Sequence, residues 1–536
     1  MNKDNPVFLF LVIAVLVFAP TQIRAQYFSV GQDPASVRWE QINTPHVQLI
    51  YPREYTKIAQ YYINNLTLSG PYVSGIYDTW NKEKRISIIL HNRTTTSNAF
   101  VAIAPFRSEF YEMPPQDAYP QIWHDQLVLH EYRHVAQITS MRQGFTKGLS
   151  YIFGQQAVAA VMGIWLPFWF IEGDAVYIES LYSNSGRGRV PDFIYTLKAQ
   201  VLDLGIYKYD KAQFGSFRDF VPDHYTLGYQ LVTRGVQEYG MSMWKNAVDR
   251  IARRPYYLIP FSSSIKQQTG RHTVKYYDDV LKSLQNEWWL NDRRDIDSTT
   301  KLISKENRFY TNYFFPSTLS DGTLIAEKTT IDDINRFVMI TPEGEEKRIF
   351  TPGFDFTQSL SSSGDVIVWN ERGFDPRWEM RNYSNIKVYD YKKKKLKRLT
   401  RRSRYFAPVI SNNGKWIATV YVSETNEYEL HILDATSGKV LQEIETENNL
   451  FFMTPQWSDD DEHIVAMVLG KEGKSLVLVS SSTWELEFLL PYTYSEIKRP
   501  AMYGEWVVFT GAYEGRDNIY ALNTESKKTF RVFEAR

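Results

Sequence analysis

Apolar and polar positions alternate at Val47-Gln48-Leu49-Ile50-Tyr51, and Ile86-Ser87-Ile88-Ile89-Leu90 is a second short apolar run. Two strands are expected there, with a helix between them where residues 55–80 follow helical spacing. From residue 118 to about 292 the spacing is mainly helical. Leu127-Val128-Leu129 and Val135-Ala136-Gln137-Ile138 continue one half-buried helix with no Gly or Pro inside it. The stretch 293–307 is charged and poor in apolar residues and reads as a linker. Beyond it, short strands and repeated turns replace helices. The chain is therefore expected to be a multidomain α+β protein: a small α/β part over 27–117, a helical part over 118–292, and an all-β region over 308–536.

The all-β region repeats itself. Pro316-Ser317-Thr318-Leu319-Ser320-Asp321-Gly322, Gln358-Ser359-Leu360-Ser361-Ser362-Ser363-Gly364 and Pro408-Val409-Ile410-Ser411-Asn412-Asn413-Gly414 align, followed by Pro455-Gln456-Trp457-Ser458-Asp459-Asp460-Asp461 and a weaker copy at Pro500-Ala501-Met502-Tyr503-Gly504-Glu505. The copies recur about every 40–50 residues, the length of one four-stranded blade. Ser with Asp or Asn caps a tight turn, and Gly takes the positive φ that the turn needs. The repeat resembles the P-x-W-S-P-D-G-K element of TolB-type β-propellers, which implies a ring of about five or six blades that presents a ligand to the rest of the chain or docks it. The run from Lys392 to Arg404, nine cations in thirteen residues, reads as a solvated hairpin of one blade.

Residues 1–25 combine a cationic start, an apolar run from Pro6 to Pro20 and a small residue at Ala25, the pattern of a secretory signal peptide. An exported protein is expected, periplasmic or extracellular, with outer-membrane association left open. A second uncharged stretch lies between Lys147 and Glu172. It reads as core packing around the active site, with peripheral contact to a membrane or envelope protein as the lesser alternative. The chain has no Cys, so disulfides and thiolate metal sites are excluded. Lys+Arg and Asp+Glu both number 61, which gives no footprint for nucleic acid.

The chemistry concentrates in His130-Glu131-Tyr132-Arg133-His134. Positions i and i+4 share one helix face, so both imidazoles can reach one ion while Glu131 faces its water, the zinc-protease arrangement H-E-x-x-H. A catalytic zinc keeps three protein ligands, and with Cys absent the third must be His or a carboxylate. Glu172 is the candidate: it opens what reads as an amphipathic helix, beside Gly173 and Ala175, which would let two helices approach closely. Asp174 and Glu179 on the same helix could orient the ligands.

At Trp169-Phe170-Ile171-Glu172-Gly173-Asp174-Ala175-Val176-Tyr177 the chain resembles the gluzincin metallopeptidases, whose second helix carries W-x-x-E-G-x-A-x-Y with its first Glu on the metal. The resemblance implies a zincin-like domain with His130, His134 and Glu172 as metal ligands. It extends to Tyr225-Thr226-Leu227-Gly228, which matches a Y-x-x-G element whose Tyr stabilises the oxyanion; His224 is an alternative donor. The exopeptidase Glu of the aminopeptidase N branch has no counterpart in residues 96–104, which instead alternate like an edge strand able to bind an extended peptide. The expected function is zinc-dependent hydrolysis of peptide bonds in a peptide or protein substrate, with Glu131 and Tyr225 catalytic. The alternative is an exported propeller-based binding or assembly protein with an inactive or structural zinc domain.

Overall fold

A computed structural model describes residues 32–80, 85–291, 307–319, 321–354, 356 and 360–534. The expected signal peptide lies outside the described residues, as does the expected linker apart from Asn307.

The N-terminal region is built on β1 (Trp39–Asn43), β2 (Val47–Pro52), β3 (Ile86–His91), β4 (Ser97–Ile103) and β5 (Phe106–Glu112), in the sheet order β1-β2-β3-β5-β4. The central strands β2, β3 and β5 are parallel, and β1 and β4 run antiparallel at the two edges. Helix α1 (Thr56–Ser74) is the crossover between β2 and β3. Alternate residues Val47, Leu49 and Tyr51, with Ile86, Ile88 and Leu90, bury one face of the sheet against α1 and against Leu127 and Val128 of the next helix, as the period of two requires.

Ten further helices follow: α2 (Trp123–Ser140), α3 (Gly144–Phe153), α4 (Gln155–Trp165), α5 (Phe168–Leu181), α6 (Tyr195–Asp203), α7 (Tyr209–Phe214), α8 (His224–Tyr239), α9 (Ser242–Arg253), α10 (Pro260–Thr269) and α11 (Thr273–Asn291). Helix α5 is not the amphipathic element expected. It is buried on nearly every side, because α2 packs on one flank and α8 on the other. Glycine makes that sandwich possible. A Cβ at Gly228 of α8 would overlap the Trp169 carbonyl oxygen, and one at Gly173 of α5 would overlap the Gly228 backbone. The aromatic cluster of Trp169, Phe170, Trp244 and Phe261 then closes the helical core.

The uncharged stretch before Glu172 also departs from expectation. Ala157, Val158, Val161, Met162 and Leu166 face the core, but Tyr151, Ile152, Phe153 and Ile164 are exposed. A 3.6-residue period puts apolar residues on both sides of α3 and α4, and only one side has a partner. No single described helix is long and apolar enough to cross a membrane, and α4 and α5 meet at a 97° bend.

The C-terminal region is a β-propeller of five four-stranded antiparallel blades, over residues 311–350, 361–398, 405–444, 451–488 and 497–534. Each repeat marks the same place in a blade. In four of the five, the repeat's Pro follows a residue of positive φ (Phe315, Ala407, Thr454, Arg499), and the register of the innermost strand shifts at that point. Proline lacks the N–H that a regular ladder needs, so it belongs at such a bulge. The turn that follows uses positive φ at Gly322, Gly364, Gly414 and Gly504, and Asp461 takes the same conformation in the fourth copy. There the carboxylate accepts the backbone N–H groups of Asn412 and Asn413 from the preceding blade. The run 392–404 forms an exposed turn and outer strand over 392–398, while Leu399 and Thr400 are buried and Arg404 turns inward to donate to the Val422 and Thr94 carbonyls.

The two regions share a core. Met113 and Ala118, in the connection from β5 to α2, belong to the apolar cluster of blades 3 to 5. Gln116 donates to the Phe452 carbonyl and accepts from the Thr454 N–H, while buried Asn382 bonds Thr94 and Thr95. Gly228→Ala should destabilise the chain by about 1–3 kcal/mol through overpacking, a drop of several degrees in Tm. Gly148→Ala and Gly163→Ala, helical positions with open space around them, should leave Tm unchanged or raise it. Thermal unfolding of the three variants checks both signs.

Candidate metal centre

Helix α2 presents His130 and His134 one turn apart, and α5 brings Glu172 against them. The His130 and His134 Nε2 atoms are 3.2 Å apart, and each lies 3.4 Å from Glu172 Oε2. Three ligand atoms on a tetrahedron about 2.0–2.1 Å from an ion are separated by about 3.3–3.4 Å, so this triangle has the size that one such ion fits. Two neutral nitrogens and a carboxylate oxygen suit a divalent transition metal, and no thiolate is needed. All three side chains are buried.

Each imidazole is held from behind. The His134 Nδ1 lies 2.9 Å from Gln137 Oε1, and the Gln137 amide donates to Asp174 Oδ2 (2.8 Å) and the Ile171 carbonyl. The His130 Nδ1 lies 2.9 Å from Glu179 Oε2. Arg187 Nη2 is also 2.6 Å from that nitrogen, but a guanidinium only donates. Freeing Nε2 for a metal puts the proton on Nδ1, so Glu179 is its acceptor. Arg187 then serves Glu179, which it grips through Nε at 2.7 Å and Nη2 at 2.8 Å. Both rings thus turn their Nε2 lone pairs into the triangle.

Charge follows geometry. Burial would raise the Glu172 pKa, but His134 and His130 outweigh it and hold this carboxyl far below the usual carboxylate range. Burial would lower the His134 pKa, yet Glu172, helped by Glu131 and Gln137, lifts it to about 9. Glu179 is also buried, and Arg187 with His130 keeps it ionised, at about 2. Glu131 goes the other way. Burial raises its pKa against the pull of the two imidazoles, and its Oε2 has no hydrogen-bond partner.

The sites anticipated from sequence fall into two groups. His130, His134, Glu172 and Glu131 come together, and Tyr225 stands over them, its ring 6.0 Å from that of His130 and its phenol pushed up by burial and by Glu172. His224 does not join them. Its ring packs edge-on against Phe168 and is not part of the cleft wall, because adjacent helical residues point about 100° apart. Two residues that sequence reasoning did not single out are central. Arg133, inside the H-E-x-x-H motif, makes a bidentate 2.8 Å pair with Asp174 and donates to the Val73 carbonyl. Arg187, whose guanidinium stacks 4.8 Å over the Tyr225 ring, sits between Gly186 and Gly188, where a Cβ would strike Ser180 and Tyr229. That Gly-flanked Arg, eight residues after Glu179, is the one sequence signal that could have marked it.

The centre opens into a cleft of about 450 Å³. Ser97, Asn98 and Ala99 of edge strand β4 form one wall, and Arg187 and Tyr225 form another. The propeller forms the third, with Met453, Thr454, Lys474 and Ile497 to Arg499. Thr454 and Arg499, the positive-φ bulge residues of blades 4 and 5, also line the central channel of the propeller.

No family model matches the chain, and no curated protein matches it. Solved structures similar to it include TolB from Acinetobacter baumannii (14% identity, TM-score 0.35, covering 42% of this chain and 54% of that one). They also include a Mycobacterium tuberculosis puromycin-hydrolyzing peptidase (13%, 0.32, 42% and 38%) and the tricorn protease (12%, 0.29, 41% and 26%). The chain spans about half of that TolB. These likenesses concern the propeller and carry nothing about the metal centre.

Removing one partner of the Arg133–Asp174 pair strands a buried charge. Asp174→Ala should cost about 3–5 kcal/mol and lower Tm by roughly 3–9 °C, whereas Arg189→Ala, on the more open loop, should cost much less. Denaturant midpoints at constant m-value test the difference.

Proposed function

We propose that the protein is an exported zinc-dependent peptidase with a zincin-type centre of the gluzincin kind, whose cleft is completed by its own propeller. The observation that carries this reading is the 3.2–3.4 Å triangle of His130, His134 and Glu172 with the unpaired, buried Glu131 oxygen beside it. His130 Nε2, His134 Nε2 and Glu172 Oε2 would hold the ion. When bound, zinc supplies Lewis acidity toward water and toward a carbonyl oxygen.

The rest is the work of the chain's own residues. Glu131 takes a proton from the attacking water on its free oxygen and returns it to the departing amine; a carboxylate whose pKa is raised by burial is suited to both halves of that transfer. The Tyr225 hydroxyl donates to the carbonyl oxygen as charge grows there, a contact worth about 3–4 kcal/mol if it acts like other oxyanion donors. The open edge of β4 offers main-chain groups to an extended peptide. The blade 4 and 5 residues over the cleft keep bulk water from the reacting groups. The apolar N-terminal run supports export.

Purified full chain should contain one zinc, and cleavage of a quenched casein-type substrate should be abolished by a chelator. Glu131→Gln should keep the zinc and lose activity by at least about a thousandfold. An active Glu131→Gln, or no zinc, would end this reading, and zinc without cleavage would favour a binding role.

Metal loading should depend on pH in a defined direction. In the metal-free protein His134 holds its proton up to about pH 9, and ligation requires the neutral ring. Zinc binding should therefore release a proton and tighten by up to about tenfold per pH unit, levelling off as pH passes about 9. Calorimetric titrations in buffers of different ionisation enthalpy read both.

A further inference from the structure

The outward faces of α3 and of the segment after α9 form one apolar surface that nothing among the described residues covers. Tyr151 is 77% exposed, Ile152 75%, Tyr256 63% and Leu258 87%. The two segments are joined, since the Phe145 and Tyr256 rings meet at 5.3 Å and Gly144 lies against Arg253, which a Cβ there would strike. Phe145, Gly148 and Ile152 fall on one stripe of α3, and the space over Gly148 is empty. Large aliphatic and aromatic side chains exposed side by side mark an interaction surface rather than ordinary scatter.

Charge identifies the occupant. Arg142, Lys147, Arg253 and Arg254 flank the apolar residues along the two segments and are exposed, and none of them appears in an ion pair among the described residues. There is no acidic residue between Glu131 and Glu172, and none between Asp249 and Asp278. Asp249, the acidic residue that precedes Arg253 in the sequence, is already occupied by Lys245 and Gln143. Apolar and aromatic side chains in a rim of one positive sign are the composition of an element that lies in an anionic lipid interface, its apolar side chains entering the acyl boundary while its cations meet the headgroups.

We propose that this face seats the protein on an anionic phospholipid bilayer, with Tyr151, Ile152 and Leu258 inserted and Lys147, Arg253 and Arg254 at the headgroups. The inference does not depend on the metal centre. No single described helix is long and apolar enough to cross a bilayer.

The chain has no Cys, so single cysteines report single positions. Ile152→Cys, Leu258→Cys and, as a control, Lys439→Cys in blade 3 would each be labelled in the full chain with an environment-sensitive fluorophore. The control position adjoins the basic run 392–404, because the Lys397 ammonium contacts the Thr436 carbonyl. Phosphatidylglycerol vesicles should shift the emission at 152 and 258 to the blue and leave 439 unchanged; phosphatidylcholine vesicles should shift none of the three. Changing Lys147, Arg253 and Arg254 together to Gln should weaken the vesicle titration at 152 by at least about tenfold at low salt. No shift at 152 and 258, or a shift at 439 alone, would overturn the proposal. So would a shift at 152 that appears on concentrating the protein without lipid, which would assign the face to a second copy of the chain.

Discussion

The ion pair between Arg133 and Asp174 is the constraint on which the candidate metal centre depends. Arg133 immediately precedes His134 on α2, and Asp174 lies two residues after Glu172 on α5, so their two parallel 2.8 Å bonds fix the ligand helices in register. A charged pair this deeply buried is favourable only if its remaining hydrogen-bonding groups are also satisfied. They are: Arg133 donates again to the Val73 carbonyl and stacks on the Tyr77 ring, while Asp174 also accepts from Tyr77 and Gln137. Gln137 passes the same constraint to His134 Nδ1. One interaction therefore sets the helix spacing and the orientation of an imidazole, with precision that flexible surface contacts would not give.

Close backbone approach supplies the second half of that geometry. Gly173 and Gly228 let α8 lie on α5 almost without side chains between them, and Tyr225 is one turn before Gly228 on the same helix. The spacing from Tyr225 to Gly228 is thus a mechanical relation: the glycine sets the helix down, and the tyrosine reaches over Glu172 as a result.

What could be read from the sequence follows from where the information resides. His130, His134 and Glu131 were legible because a helix places i and i+4 together whatever surrounds it. The blades were legible because a Ser/Asp/Gly turn and a proline at a bulge are local chemistry that repeats. Glu172 was a candidate from its place on a helix with small neighbours and gained its role, like Tyr225, from resemblance to a known family; Gly173 adjoins the one and Gly228 lies one turn from the other. Arg187 and Gln137 could not be assigned this way, since their roles exist only once α2, α5 and the loop after α5 are packed. The apolar stretch before Glu172 misled for a related reason: hydrophobicity records that a face avoids water, and it does not record whether the chain itself supplies the cover. Tyr151 and Ile152 have none among the described residues.

The propeller is part of the cleft rather than an appendage to it. The connection from β5 to α2 contributes Met113 and Ala118 to the core of blades 3 to 5, so the segment that launches the motif helix is anchored in the propeller. Gln116 in that segment clamps the backbone of the blade 4 bulge, and Thr454 at the bulge lines the cleft. Across the cleft, Lys498 of blade 5 pairs with Asp192 and Asp517, and Tyr195 at the start of α6 accepts the Asp517 N–H. The bulges have a double use in this arrangement. A register shift that removes a proline from the ladder also turns Thr454 and Arg499 outward from the strand, toward the cleft and the central channel together. The bulge that four of the five repeats share thereby gives two of them a wall of the candidate metal centre.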